Sequence, residues 1–259
     1  WLRARKNHPT NIRPRPLTLN VWEAVYFDHN LEKLTELAQV AKQIGVERFV
    51  LDDGWFGSRR DDTTGLGDWV ISKDVWPDGL GPLIEIVKAN GMEFGLWFEG
   101  EMVNPDSDLY RQHPDWILNV GERVPAVSRG QLVLDLSNPD CYKHVFDQTD
   151  AVLRDNDISY IKWDHNRPLV DPGHRSKAAV RTQTEAIYRL FAELKKKHPA
   201  LEIESCASGG GRIDFGIMKR TQRVWLSDSN DALERLRIQH DAALFLPMAV
   251  TGSHVGPRG

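Results

Sequence analysis

Several things are scarce or missing in this sequence, and each absence narrows the options. Two cysteines, Cys141 and Cys206, cannot build a disulfide framework, and there is no CxxC motif for metal or redox chemistry. The expectation from cysteine usage is a cytoplasmic setting. No apolar run approaches the roughly 20 residues that a membrane span needs; the longest lies near AALFLPMAV (242–250). There is no basic excess. Lys and Arg number 33 against 37 Asp and Glu, and the net charge of −4 leaves no electrostatic footprint for nucleic acid. The Lys195-Lys196-Lys197 run ends an amphipathic helix pattern, where the helix dipole favours cations. The N-terminal stretch WLRARKNHPT has no initiator Met and no apolar signal core. The Gly-rich CASGGGRID (206–214) matches neither GxGxxG nor GxxxxGK[ST]; it reads as a tight loop that lets backbone approach a ligand. No internal repeat or low-complexity tract is present.

What is present is a rhythm of short apolar runs, polar and aromatic turns, and helix patterns. The runs are LTLNVWE (17–23), RFVLDDGW (48–55), EFGLWFE (93–99), ISYIKWD (158–164), LEIESCA (201–207), RVWLSD (223–228) and LPMAVTGSHV (246–255). Between them, residues 30–45 place Leu31, Leu34, Leu37, Ala38, Ala41 and Ile44 on one helical face, with Asn30 as N-cap and Gly45 as C-cap. Residues 138–153 repeat the pattern with Tyr142, Val145, Phe146, Val152 and Leu153, capped by Asn138 with Pro139 in the first turn. Residues 185–197 align Ile187, Leu190, Phe191 and Leu194.

Near-continuous apolar strands belong to a parallel sheet covered on both faces. Strand–helix alternation on this scale gives an open doubly wound sheet or a (β/α)8 barrel. The first turn, VWEAVYFDHN, cannot cradle a pyrophosphate as the nucleotide-binding open sheet would require, so the α/β barrel is favoured. Residues 116–138 interrupt the rhythm: they form either a hairpin-like excursion or, through LVLDL (132–136), a further barrel strand.

Nearly every run ends in residues suited to chemistry: Trp22 and Glu23; Asp52 and Asp53; Trp97, Glu99 and Glu101; Lys162, Asp164 and Asn166; Glu204 and Cys206; Asp228 and Asp231. In such a barrel these ends converge on one mouth. Side chains two apart on a strand share a face, so Lys162 and Asp164 point together, and the ammonium favours an ionised Asp164. A buried ion pair closing the barrel is the bland alternative. Asp228 lacks a lysine two places away and suits a protonated acid, although Asp228 or, preferably, Asn230 could instead cap the following helix. One ionised and one protonated carboxyl across a bond is the minimum for glycoside hydrolysis. Trp22, Trp55 and Trp97 at strand ends offer flat faces for a pyranose, whereas Trp69 and Trp116 read as core. Asp52 and Asp53 both reach the mouth only where the strand breaks, which Gly54 permits.

The blocks NVWEAVYFD, LDDGWFG, GLWFEGEMV, RGQLVLDLSNP, IKWDHNR, ESCASGGGRID and WLSDSNDALERL, in this order across nearly the whole chain, resemble glycoside hydrolase family 36, the large microbial α-galactosidases or melibiases. The resemblance implies retaining hydrolysis of terminal α-linked galactose without metal or cofactor, on oligosaccharides such as melibiose or raffinose. It implies Asp164 as nucleophile and Asp228 as acid/base. Asp52 and Asp53 would bind the 4- and 6-hydroxyls, and Lys162, Arg129, Trp22 and Trp97 would line the pocket. Asn166, Cys206, Ser208, Gly209 and Asp231 complete the substrate-binding set. The pattern departs at Gly100, where proline is common, so a looser third loop is expected; Ser208 stands for a glycine.

The resemblance also implies the nucleophile after the fourth strand and the acid/base after the sixth, which makes LVLDL part of the excursion and 246–255 the seventh strand. Residues 1–16 are then a linker from an upstream domain and 17–259 a truncated catalytic barrel with about seven of eight strands, leaving an apolar edge exposed. The full-length protein is expected to be a homo-oligomer, with a tetramer as one assembly. Four alternatives stay open: galactosyl transfer, an α-N-acetylgalactosaminidase, an enolase-like lyase using Asp164, Glu204 and Asp228 for metal, and a non-catalytic sugar-binding domain.

Overall fold

The computed structural model describes residues 15–174 and 177–256; most of the expected linker (1–14) and the last residues (257–259) lie outside the described residues. The seven apolar runs form seven strands: β1 (Thr18–Asn20), β2 (Arg48–Leu51), β3 (Glu93–Phe98), β4 (Tyr160–Trp163), β5 (Glu202–Ser205), β6 (Arg223–Trp225) and β7 (Thr251–Gly252). They make one sheet in strictly sequential order, and every neighbouring pair is parallel. Sequential parallel order is the winding of a (β/α) barrel, here seven strands of it. Apolar residues on both faces account for the unbroken runs: Phe49, Val50 and Leu51 are all buried.

The helices pack outside. In α1 (Leu31–Gln43), Asn30 caps the first turn by accepting from Lys33 N–H at 3.1 Å, and Gly45 follows the end with φ +81°. Leu34, Ala38 and Ala41 are buried, but the ends of the expected stripe, Leu31 and Ile44, are exposed because the helix contacts the sheet only through its middle. After α2 (Gly81–Ala89), α3 (Pro139–Asp155) starts with Asn138 accepting from Asp140 N–H at 3.0 Å and Pro139 in the first turn. In α4 (Val180–Lys197), the expected Ile187, Leu190, Phe191 and Leu194 are buried. A short turn α5 (Phe215–Met218) precedes β6, and α6 (Ala232–Ala243) follows it.

LVLDL stands outside the barrel sheet. Leu132–Val133 pairs antiparallel with Met102–Val103, so residues 116–138 form a side excursion. Trp55, Trp69 and Trp116 are buried, which places Trp55 with the core tryptophans; its Nε1 donates to the Trp97 carbonyl at 2.9 Å.

The lower interior is polar. Arg48, fully buried, reaches Glu93 at 2.7 Å and Glu202 at 2.8 Å and lies over the Tyr160 ring. One level up, register aligns Trp97, Lys162, Glu204 and Arg223 across β3 to β6. At the rim, Asn230 donates to Glu23 at 2.6 Å and His254 contacts Asn230, so the segments after β1, β6 and β7 meet. The sheet is therefore curled. In α6 and the segment that leads from it into β7, Leu233, Leu236, Leu244, Phe245 and Met248 are exposed. Among the described residues, no helix is long and apolar enough to cross a membrane.

Candidate active site

Asp164 follows β4 directly, and its backbone N–H donates to the Phe98 carbonyl at 2.7 Å, which continues the ladder one step past the strand. The carboxyl is buried. Burial by itself would raise its pKa, but the Lys162 charge and hydrogen bonds from Cys206, Asn166 and Trp97 outweigh it and hold the carboxyl below its ordinary value. Trp97 Nε1 donates to Oδ2 at 3.1 Å and His165 N–H to Oδ1 at 2.9 Å. Trp97 is almost wholly buried, so it contributes this donor and an edge rather than an open stacking face.

Lys162 is not bonded to Asp164. Its Nζ contacts Asp52 Oδ2 at 3.0 Å, and it acts on Asp164 through space. Burial disfavours its charge, but Asp52, Asp164 and Glu204 around it raise its pKa well above the ordinary value. Asp52 also accepts from Asn20 Nδ2 at 2.5 Å. Asp53 is gripped through both oxygens by Arg59, at 2.9 and 2.7 Å. The chain turns here as expected: β2 ends at Leu51, and Gly54 has φ +113° with the rings of Phe27 and His29 against it.

Asp228 is exposed and accepts from Trp225 Nε1 at 2.6 Å. The helix cap falls to neither Asp228 nor Asn230. Asp231, in extended conformation immediately before the first helical turn, caps α6 by accepting from Glu234 N–H at 2.7 Å; the Asn230 side chain is turned to Glu23. Cys206, the residue just past β5, feels both Asp164 and Asp228, and burial pushes its thiol pKa far up.

The Gly-rich loop has a different reason for its glycines than the sequence suggested. A Cβ at Gly209 would lie 2.7 Å from Ser227 Cα, so the glycine admits the backbone that leads to Asp228 rather than only a ligand. Ser208, at φ 45°, donates from N and Oγ to Asn166 Oδ1 at 3.3 and 3.2 Å. Arg129 swings in from the excursion, donating to the Asn166 carbonyl at 3.2 Å and meeting Ser208 Oγ at 3.4 Å. Trp22 is half-buried beside β1, edge-on to Tyr26 and Phe27.

Gly100 is not a loosening point. A Cβ there would meet the Trp163 indole at 2.5 Å, so the third loop is packed tightly against β4. Glu204 lies within β5 in an ion pair with Arg223 at 2.5 Å, below the mouth. The three acids of the metal alternative thus sit at different levels, and among the described residues no group of His, Cys, Asp or Glu is arranged as metal ligands.

The structure adds Asn20, Arg59, Glu99 and Glu101 to the site. Glu101 accepts from Trp163 Nε1 at 3.1 Å and pairs with Arg212 and His165. Burial would raise its pKa, but the Arg212 guanidinium and the hydrogen bonds from Arg212 and the His165 ring outweigh it and lower it to about 2. The acids were legible as strand-end residues; Asn20 and Arg59 carried no signal, since their partners are distant in sequence or across an irregular loop. Beside the site, Asn166, Arg167, Leu169, Ile187, Ser208 and Arg212 line part of a cleft of about 470 Å³.

The family model described as Melibiase matches residues 2–258. The chain belongs to the melibiase family. Among curated melibiase relatives, an alpha-galactosidase of Escherichia coli is 49% identical over 244 residues, covering 94% of this chain and 34% of that protein. The crystal structure of GH36 alpha-galactosidase AgaA from Geobacillus stearothermophilus superposes with TM-score 0.90 at 41% identity, covering 93% of this chain and 34% of that one. A substituted form of AgaA in complex with stachyose gives TM-score 0.93 at 39% identity, covering 99% and 37%. The chain therefore spans about a third of the length of these melibiases.

Proposed function

We propose that this chain is the catalytic barrel of a retaining α-galactosidase that releases terminal α-linked galactose from oligosaccharides of the melibiose and raffinose type. The observation that carries this reading is the asymmetry of two carboxyls at one end of the sheet. Asp164 is buried and kept ionised; Asp228 is exposed; they flank Cys206 from the strands on either side of β5. Neighbouring strands lie about 4.8 Å apart, so the acids rise from backbones roughly 10 Å apart and their side chains can close on one bond. In the family setting, substituted AgaA holds stachyose or raffinose.

In the proposed route Asp164 attacks the anomeric carbon while Asp228 protonates the departing oxygen. Asp228 then takes a proton from water, which cleaves the β-galactosyl ester and yields α-galactose. Asp52 and Asp53 meet the sugar's 4- and 6-hydroxyls. Each is held by fixed donors, Lys162 and Asn20 for Asp52 and Arg59 for Asp53, which orient its remaining lone pairs. Trp22, Trp97, Arg129, Asn166, Cys206, Ser208, Gly209 and Asp231 shape the rest of the pocket. No cofactor takes part in this route. Residues 17–259 would be the catalytic unit of a longer chain that works as a homo-oligomer. The free, buried Cys141 and Cys206 suit a cytoplasmic compartment.

The test is proton NMR of the full-length protein acting on an aryl α-galactoside. The first product should be α-galactose, and Asp164→Ala should be inactive but rescued by azide to the β-galactosyl azide. First release of β-galactose, or full activity of Asp164→Ala, would refute the reading.

A further inference from the structure

Glu99, one residue past β3, has no part in the route above. Its side chain is fully buried, so it cannot touch a sugar. Its Oε1 accepts from the Asn166 backbone N–H at 2.5 Å, and its Oε2 is 3.2 Å from Gln131 Nε2. Both partners lead to site residues. The Asn166 side chain bonds to Asp164 and receives Ser208, and its carbonyl receives Arg129. Gln131 closes the turn that carries Arg129, through reciprocal backbone bonds with Ser128 at 3.0 and 3.1 Å. It is also tied to the Asp164 loop from the other side, because its carbonyl accepts from Arg167 at 2.9 Å. One buried carboxyl thus joins the loop after β4 to the excursion.

We propose that Glu99 is a positioning residue, a buried strut that fixes Asn166 and the Ser128–Gln131 turn and thereby orients the Asp164 carboxylate and places Arg129. This inference rests on the reading of Asp164 as nucleophile. The end of β3 then supports Asp164 twice, directly through Trp97 Nε1 and indirectly through Glu99 and Asn166.

The protonation state fits the task. Burial, reinforced by the Asp164 charge, pushes the Glu99 pKa up to about 8. A neutral Glu99 puts no second negative charge beside the nucleophile. Gln131 Oε1 has no partner in the assigned orientation of its amide. Flipping the amide lets the Glu99 hydroxyl donate to that oxygen, while Oε1 of Glu99 still accepts from Asn166. A glutamine at 99 reproduces this pattern: its oxygen accepts from Asn166 and its NH2 donates to Gln131.

Glu99→Ala, Glu99→Gln and Asp164→Ala in the full-length protein test the strut with an aryl α-galactoside. Glu99→Ala should lower kcat by about 100-fold, the scale of a small misplacement of a reacting group, with KM within about threefold. Glu99→Gln should restore kcat to within about fivefold of the parent, because the hydrogen-bonding role needs no charge. A folded Glu99→Ala with parental kcat overturns the proposal, as does Glu99→Gln no better than alanine. Should the alanine variant not fold, Glu99→Asp takes its place: it keeps the carboxyl but falls short of Asn166, and parental kcat there also overturns the strut. The underlying reading fails separately, through an active Asp164→Ala. An inactive Asp164→Ala beside an unaffected Glu99→Ala removes only the strut.

Discussion

Lys162 Nζ lies 3.0 Å from Asp52 Oδ2, a contact that crosses from β4 to β2 over the intervening β3. Strand alternation aims Lys162 toward the mouth, but its hydrogen-bonding partner is the acid two strands away. The single cation serves two carboxylates: it binds Asp52 and holds Asp164 ionised through space.

Removing that cation should therefore show at both acids. In Lys162→Met, Asp52 is left buried without its charge partner, at a cost of about 3–5 kcal/mol in stability. Asp164 loses the charge that lowers its pKa, so the acid limb of the kcat/KM profile should move to higher pH. Adding Asp52→Asn should recover part of the stability but not return the acid limb. Denaturant titration reads the first effect and pH–rate profiles the second; an unmoved limb in Lys162→Met contradicts the electrostatic role.

Two glycines should respond oppositely to alanine. At Gly100 the new Cβ meets the Trp163 indole, a fully buried ring that cannot retreat, so Gly100→Ala should destabilise by about 1–3 kcal/mol. Gly81 opens α2 with nothing near a new Cβ, and Gly81→Ala should be neutral or stabilising by up to about 1 kcal/mol. Thermal melts of both variants check the pair, and equal shifts would contradict the packing account.

Two neighbouring glutamates should give opposite pH dependences of stability. Glu101 is held at about 2 in the folded protein against an ordinary 4.5, so between these values the unfolded chain binds more protons. Its contribution is complete above about 4.5 and is lost as pH falls toward 2. Glu99 keeps its proton up to about 8, so its contribution is complete below 4.5 and is lost as pH rises through 8. The stability deficit of Glu101→Gln relative to the parent should therefore shrink from about pH 6 to about pH 3. Glu99→Gln should gain on the parent from about pH 5 to about pH 8. Guanidinium titrations at these pH values decide both, and parallel curves for parent and variants would refute the assigned charge states.

The site was partly legible because a parallel barrel imposes a local rule. Apolar runs such as RFVL and YIKW mark strands, and the residues just past their ends lie at the mouth; Asp52, Asp53, Asp164 and Asp228 could be found that way. Trp55 shows where the rule fails. It also comes after a strand, but its loop folds inward over Phe56 and Trp69, and a strand-end position does not reveal whether a ring is covered. The cap of α6 fell to Asp231 rather than Asn230 because Asn230 is drawn to Glu23, a partner at the far edge of the sheet. Glu99 was legible as a strand-end acid, but its pairing with Asn166, like that of Arg59 with Asp53, has no motif, since the loops joining them have no period.

By itself the sequence determined the alternation of strand and helix, the parallel order, and which acids reach the barrel mouth, because these are consequences of near-neighbour periodicity and of caps such as Asn30 and Asn138. Only the tertiary structure decided which acid Lys162 binds, that Glu204 is spent on Arg223 below the mouth, and that Glu99 stands under the loop that follows Asp164. Those outcomes depend on the curl of the sheet and on loop paths, which bring together groups up to 110 residues apart. Their pairing is set by burial and distance, and neither quantity is written in local sequence.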